Sequence, residues 1–554
     1  MFLRVNGKVD ASNGADMHTQ LFSGHIPMLL HPSPKRVLII GLGSGVTAGA
    51  VAQYPVDHID IIEIEPAVIE ASRFFETENR SVLKDPRVSM IVADGRNFLL
   101  NTRVPYDIII SEPSNPWIRG LASLFSQEFF ALAQSRLAPG GIMLQWIQGY
   151  SISTDDLRMV AATFRTAFPH STMWFTNEGD NFLVGTKSSL AALLTRVQER
   201  FRASPLLRED FTRVGLSNPV GFLADYLLSE EELGRYAVSA DLNTDDTLWL
   251  EFSAPRSLYE LRNAEMNHRV LRSYRTTDLP PMLPADRLVV DTAEGRDALG
   301  RALVGKGLAA EAEAQFTRAG GLDPLHVPSR LDEARLLIQH GMAMKALGAL
   351  EQVLNRNRHE ARAHFLKGEA YRQQGLAEQA LAAYERAVAE APENLDYRLR
   401  MAEALKAQGA MEKARREYET ANHLKPRSVE VLFPLAELCL AQGKPDDALG
   451  TLQPLFAAFP KYPLSTRARI QQLAGFAHLR AKRFVEAIQA LEAAAALNPL
   501  DTGIRLDLAQ AYEAAGKPER ALTTLDRLLA IDPGHLLALQ RFNALRARLE
   551  MGQL

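Results

Sequence analysis

Four short segments within the first 120 residues carry side chains that could do chemistry together. They are Gly41-Leu42-Gly43-Ser44-Gly45, Glu63-Ile64-Glu65, Asp94-Gly95 and Glu112-Pro113-Ser114-Asn115-Pro116-Trp117. Gly41, Gly43 and Gly45 make a turn in which backbone approaches a ligand with no Cβ in the way. An ionised carboxylate at Glu63 can accept both hydroxyls of a ribose, and one at Asp94 can accept from an adenine amino group. Glu112 is a third acid, at the end of a fourth apolar run. Taken singly, each acid reads as well as a helix N-cap. Taken together they describe a nucleoside cleft, but not a dinucleotide fingerprint, which would want glycine at Val46.

The elements that must position these residues are legible beside them. Each segment follows a short apolar run that reads as a buried strand: 37–40, 59–62, 90–93 and 108–110. In an open parallel sheet, ligands bind outside the carboxyl ends of the strands. Residues 35–186 alternate strand and helix and close with two strands, 171–176 and 181–186, joined by Asn177-Glu178-Gly179-Asp180. An antiparallel pair after five parallel strands is the habit of S-adenosylmethionine-type transferases, whereas a nicotinamide-binding domain is wholly parallel. The expected fold of this half is therefore α/β and Rossmann-like, with a closing antiparallel hairpin.

Composition narrows the function classes. The chain has 554 residues, too many for one core, with 47% hydrophobic and 23% charged residues. A net charge of -4 with no basic block gives no support for nucleic-acid binding. The single Cys439 excludes an intramolecular disulfide and any cysteine-rich metal site. His18, His25 and His31 have no ligand spacing, so no metal is expected. No apolar stretch approaches the roughly 20 residues of a membrane helix. Residues 1–34 lack the pattern of a secretory leader. The expectation is a soluble, cytoplasmic protein.

The second half repeats every 34 residues. Gly368, Gly375, Ala380, Tyr384, Ala387 and Pro392 recur at the same offsets as Gly300, Gly307, Ala312, Phe316, Ala319 and Pro324. Small residues at two of these offsets let paired helices approach closely; glycine ends the first helix and proline stops the second. This is the pattern of the tetratricopeptide repeat. Seven units are expected to start at 293, 327, 361, 395, 429, 468 and 502, with 463–467 as an insertion and 536–554 as a capping helix. Such an all-α solenoid binds a protein or peptide on its concave face.

The order of motifs in the first half resembles the spermidine and spermine synthases: GxGxG, Glu63-Ile64-Glu65, Asp94-Gly95-Arg96, the segment from Glu112, Ser123-Leu124-Phe125, and Leu137 to Gly141. The lead-in from Asn6-Gly7 to Gln20, then Pro27 and His31-Pro32, is similar as well. Asn243-Thr244-Asp245-Asp246, Leu250-Glu251-Phe252 and Ala254-Pro255-Arg256 resemble the bacterial members of that group, many of which carry a membrane-spanning half before the soluble one. The resemblance implies a domain division of 1–34 lead-in, 35–186 nucleoside-binding core, 187–265 remainder of the catalytic unit, 266–292 linker with Pro280, Pro281 and Pro284, and 293–535 repeats. It implies aminopropyl transfer from decarboxylated S-adenosylmethionine to an amine, with Glu112 as base. Gln20, Gly41, Gly43, Ser44, Gly45, Glu63, Asp94 and Gly95 would then hold the donor.

Departures from the family pattern limit that carry-over. Ser44 and Asn115 stand where the family has aspartates for the aminopropyl chain and the acceptor amine, and its lead-in tyrosine falls at Thr19. No P-T-Y-P-S-G segment follows the fifth strand. Losing one partner of a buried ion pair costs about 3–5 kcal/mol, so plain putrescine is not the expected acceptor unless other acids move in. The candidates are Asp245, Asp246 and Glu251, with Asn115 and Trp117 lining the acceptor side. An S-adenosylmethionine-dependent methyltransferase and a non-catalytic nucleoside-binding scaffold remain alternative readings.

Overall fold

A computed structural model of the chain describes residues 1–5, 7–177, 179–188, 194–276, 279–280 and 284–552. Asn6, Glu178 and Pro281, named above, lie outside the described residues. The chain divides into two compact units, Met1–Leu336 and Leu337–Leu554.

The first unit is built on an eight-stranded sheet preceded by a two-stranded hairpin, β1 (Phe2–Val5) and β2 (Lys8–Ser12). The sheet comprises β3 (Arg36–Ile40), β4 (His58–Glu63), β5 (Val88–Val92), β6 (Tyr106–Ser111), β7 (Leu137–Gln148), β8 (His170–Asn177), β9 (Asp180–Thr186) and β10 (Tyr226–Leu228). Their spatial order is β10-β8-β9-β7-β6-β3-β4-β5. Strands β5, β4, β3, β6 and β7 run parallel, and β9, β8 and β10 join antiparallel. The closing hairpin pairs Ser171 with Gly185 and Trp174 with Phe182. Strand β10 is an addition that its three residues were too short to announce.

Apolar runs without alternation mark strands covered on both faces. Val37, Leu38 and Ile39 of β3 and Ile108, Ile109 and Ile110 of β6 are accordingly buried. β3 is the middle one of the five parallel strands, and its neighbours β4 and β6 lead away in opposite directions. That reversal leaves a crevice beyond the carboxyl ends of β3 and β6. A lead-in helix, Met17–Leu30, packs on β6, β7, β8 and β9 beside this crevice. Its Phe22 ring is fully buried, with Phe211 at 5.3 Å between centroids.

The first compact unit extends past the linker expected at 266–292. Residues Asn263–Tyr274 form a helix, and the first repeat's helices, Ala293–Gly305 and Ala309–Leu322, belong to the same hydrophobic core as the sheet. The helix Ala293–Gly305 packs on the turn Pro219–Asp225, burying Leu299 and Leu303. At its end Lys306 is buried, donating to the carbonyls of Phe175 (3.0 Å) and Thr176 (2.9 Å) and pairing with Asp225 at 2.6 Å. His18 of the lead-in helix meets the other Asp225 oxygen at 3.0 Å. Burial opposes ionisation of Asp225, but His18 and Lys306 outweigh it and hold the carboxyl below its ordinary range. The prolines of 266–292 suggested a boundary that few contacts cross; the apolar face of the first repeat and its buried cation move that boundary to Leu336.

The second unit contains helix pairs and a closing helix, Leu536–Glu550. A Cβ on Gly368 would collide with the Tyr384 ring, the close approach that the repeat pattern demands. The extra residues 463–467 fall at the start of a helix. They lengthen the sixth unit's first helix, Leu464–Arg480, to 17 residues, with Pro463 at its N-cap. Proline tolerates the start of a helix because no N–H is needed there.

Cutting the chain after residue 290 leaves Asp225 buried without its cation, an effect of about 3–5 kcal/mol. Fragment 1–336 should therefore unfold at distinctly higher denaturant concentration than 1–290, with Lys306→Met in the longer fragment falling between them. Equal midpoints for the two fragments would separate the first repeat from the core.

Candidate active site

The glycine loop and Glu112 are locked together through backbone. Glu112 N donates to Ile40 O at 2.9 Å, and Gly41 N donates to Ile62 O at 2.8 Å. Gly41 has φ +98°, and a Cβ there would sit 2.5 Å from the Glu112 carbonyl oxygen. Only glycine satisfies both conditions. Gly45, at φ +81°, caps the helix Val46–Val51.

The structure brings Gly41, Gly43, Ser44, Gly45, Glu63, Asp94 and Gly95 to neighbouring ends of β3, β4 and β5. Glu63 is buried, accepting from Leu42 N (2.9 Å) and Glu65 N (3.0 Å), so it props the glycine loop open while retaining lone pairs. Asp94 caps the helix Gly95–Asn101 by accepting from Asn97 N at 2.8 Å. Capping occupies one of its two carboxylate oxygens. Gln20 spans Ser12 O (2.8 Å) and Asp16 (3.0 Å) through its amide nitrogen, and its oxygen accepts the Ser44 hydroxyl. Ser44 is therefore spent inside the loop.

Glu112 emerges from β6 into a half-buried position between the lead-in helix and the helix Val46–Val51. Burial raises its pKa to about 7; the Ser23 and Thr47 hydroxyls beside it pull the other way, and the Asp180 charge adds to the rise. A carboxyl in that range exchanges protons near neutrality, as a general base must. Three residues further, Asn115 is fully buried, its amide beside the Tyr150 hydroxyl. Trp117 packs edge-on to Tyr150 at 6.1 Å, and Lys8 lies 5.9 Å over the Trp117 ring.

The acids expected to move in have other partners. Asp245 forms a two-pronged ion pair with Arg96, one arm at 2.8 Å, and its backbone N–H reaches Glu128. Asp246 is exposed. Glu251 accepts from Gly120 N at 2.9 Å, while buried Asn243 donates to Ala122 O at 3.0 Å. This motif anchors the segment that follows Trp117 and offers the cleft no free carboxylate from Asp245.

The acid that does face Glu112 is Asp180, at the start of β9. It accepts from Thr19 (2.8 Å), Asn177 (2.8 Å) and Trp146 Nε1 (3.1 Å). Thr19, which stands where a tyrosine was expected, thus orients a carboxylate instead. Tyr150 completes the group: burial raises its pKa, with Asn115 beside it and Asp180, Asp10 and Asp16 around it. Sequence reading passed over Asp180 because it sat in a hairpin turn, where Asn, Gly and Asp have ordinary conformational uses. Among the described residues, no group of three histidines, cysteines or acids could hold a metal, and no helix is long and apolar enough to cross a membrane.

The spermine/spermidine synthase domain family matches residues 19–178, and tetratricopeptide repeat families match 331–394, 371–427, 407–470 and 478–549. The chain thus carries a spermidine synthase domain followed by tetratricopeptide repeats. A spermidine synthase of Dictyostelium discoideum is 31% identical over 30% of this chain and 59% of its own length. A polyamine aminopropyltransferase of Streptococcus pneumoniae is 36% identical over 26% of this chain and 50% of its own. Putrescine N-methyltransferase 2 of Nicotiana tabacum is 34% identical over 30% and 49%. The chain spans between half and three fifths of the length of these curated relatives. A spermidine synthase crystal structure with the transition-state analogue AdoDATO aligns over 36% of this chain and 68% of that one, at 21% identity and a TM-score of 0.31.

The raised pKa of Glu112 makes stability depend on pH. Its neutral form is favoured in the folded state, so that contribution is complete below the ordinary carboxyl pKa of 4.5 and is lost as pH rises through about 7. Glu112→Gln should therefore gain stability relative to the parent between pH 5 and about pH 8, measured by denaturant unfolding. A pH-independent difference would mean that Glu112 ionises normally.

Proposed function

We propose that the first unit is a spermidine synthase-like group transferase that moves an aminopropyl group from decarboxylated S-adenosylmethionine to an amine, and that the repeats recruit a protein or peptide partner. The observation that carries this reading is Glu112, a carboxyl with pKa near neutrality, fastened by backbone to a glycine loop that Glu63 holds open.

The donor's adenosine lies along the ends of β3, β4 and β5. Glu63 accepts from the ribose hydroxyls and Asp94 from the adenine amino group, while Gly95 lets the helix after Asp94 approach Ile40 of β3. The amine nitrogen attacks the carbon attached to the sulfonium. The carbon–sulfur bond breaks, its electrons return to sulfur, and methylthioadenosine departs. Glu112 accepts the proton released by the amine. Alignment and proton removal are the protein's two tasks, since the sulfonium supplies the leaving group.

Ser44 favours a second reading, S-adenosylmethionine-dependent methyl transfer. A serine turned into Gln20 gives a cationic aminopropyl chain no carboxylate, and the tobacco relative is a methyltransferase by name. In either reading the substitutions at Ser44 and Asn115 count against plain putrescine as the preferred acceptor.

Calorimetric titration of the full chain with methylthioadenosine, S-adenosylmethionine and its decarboxylated form tests both readings. Methylthioadenosine should bind, and Glu63→Ala and Asp94→Ala should each weaken it by about tenfold or more. Tighter binding of the decarboxylated donor favours aminopropyl transfer; the reverse favours methyl transfer. Undiminished affinity in both variants would remove the cleft assignment. With an acceptor in hand, Glu112→Gln should lower turnover about a hundredfold or more while nucleoside affinity stays within about twofold.

A further inference from the structure

Away from the cleft at the strand ends, the first unit contains a cavity of about 1290 Å³ between the helix Glu230–Ala237 and the first repeat. Among the described residues that line it, Arg165, Arg235, Arg287, Arg296 and Arg318 stand against Glu230, Glu231 and Asp291, a surplus of two positive charges. The chain as a whole is acidic, with a net charge of -4. The three acids are already engaged. Glu231 accepts from Arg235 at 2.7 Å, and Asp291 accepts from Arg296 Nε at 3.0 Å. Glu230 turns its carboxylate to His170 at 3.0 Å and offers Arg165 only its backbone carbonyl, at 3.1 Å. Among the described residues, no carboxylate lies within ion-pair distance of Arg165 or Arg287.

Arg165 is held in place although it lacks a counter-ion. It sits in the last turn of the helix Thr154–Ala167 and is half-buried. Gly234 makes room for its guanidinium: a Cβ there would stand 3.1 Å from Arg165 Nη2. Nη1 is the arm bonded to the Glu230 carbonyl, with the Ser171 hydroxyl at 3.5 Å. Burial lowers the Arg165 pKa, and the Glu230 charge pulls the other way. A buried charge with no partner opposes folding, and an anion from outside relieves it. Arg287, on the helix Pro284–Val290, is exposed and brings the second unanswered charge.

We propose that this cavity is a binding site for a phosphorylated small molecule, its phosphate received by half-buried Arg165 and exposed Arg287. The planar fork of a guanidinium meets phosphate oxygens two at a time. A phosphomonoester carries about 1.5 to 2 negative charges near neutral pH, which matches the surplus, whereas a single carboxylate leaves one guanidinium unanswered. The cavity is larger than the roughly 300–1,000 Å³ usual for small-molecule pockets, so the body of the ligand fits beside its phosphate, with Val238 and Tyr274 in the wall. The recessed seat of Arg165 against Gly234 suits a free molecule better than a phosphate fixed to a protein surface. Because Arg296 and Arg318 belong to the first repeat, an occupied cavity joins that repeat to the helix Glu230–Ala237. None of the lining residues belongs to the nucleoside cleft, so the site stands whichever group the cleft transfers.

The test is calorimetry on the full chain at fixed ionic strength, with glucose 6-phosphate and inorganic phosphate as probes and glucose and acetate as controls. None of these carries a nucleoside, so the cleft does not contribute. Both phosphates should bind about tenfold or more tightly than acetate, as expected for bidentate charge-assisted bonds. Arg165→Gln and Arg287→Glu should each weaken glucose 6-phosphate by about tenfold or more. Gly234→Ala keeps every charge but crowds Nη2, and should weaken it by a smaller factor. Denaturant unfolding without ligand separates a binding arginine from a structural one: Arg165→Gln removes an unpaired, half-buried charge, so its midpoint should equal or exceed the parent's. A lowered midpoint would make Arg165 a structural residue and overturn the assignment. Phosphates that bind no better than acetate also overturn it, as does undiminished affinity in either arginine variant. A phosphoserine peptide that binds more tightly than glucose 6-phosphate would overturn the small-molecule class in favour of a modified protein.

Discussion

The arrangement depends on one crowded point, where the carbonyl of Glu112 lies against Gly41. No side chain fits between them, and the two backbones are joined to the sheet by bonds from Glu112 N to Ile40 O and from Gly41 N to Ile62 O. Because of that contact, the glycine loop and the Glu112 backbone form one rigid piece. Neither can shift without the other. Burial then does the chemical tuning: a carboxyl held half out of water beside another acid keeps its proton to about pH 7.

Around this point the side chains divide into those that shape the cleft and those left open to a ligand. Glu63, Asp94, Gln20 and Ser44 each have bonds within the protein, and these bonds fix the loop. Asn243, Asp245 and Glu251 secure the segment after β6 from outside. The Gln148 amide has no such bond.

Much of this was legible in the sequence for reasons of periodicity. Buried parallel strands are unbroken apolar runs, and the residue that follows each run lies at the carboxyl edge of the sheet, so Gly41, Glu63, Asp94 and Glu112 could be placed without coordinates. The repeats announced themselves through glycine, alanine and aromatic residues that must meet at a helix crossing, as Gly368 and Tyr384 do. What stayed hidden depended on contacts across long stretches of chain. Nothing local distinguishes Asp180 from a turn residue, or Thr19 from a spacer, until β9 and the lead-in helix adjoin. Asp245 looked available because its partner Arg96 is 149 residues away. Lys306 occupies an ordinary position before a helix-ending glycine, and its burial follows from the Asp225 side chain rather than from the repeat pattern.

That lysine has a consequence for how such a chain can be rearranged. A solenoid ordinarily tolerates gain, loss or exchange of units, because each unit contacts only its neighbours. The first unit here lacks that freedom. A consensus helix pair grafted at position 293 would present the right apolar stripe yet leave Asp225 and the carbonyls of Phe175 and Thr176 without their cation. Array length can be re-engineered from the distal end, while the proximal unit is an adaptor that must be inherited with the enzyme domain it closes.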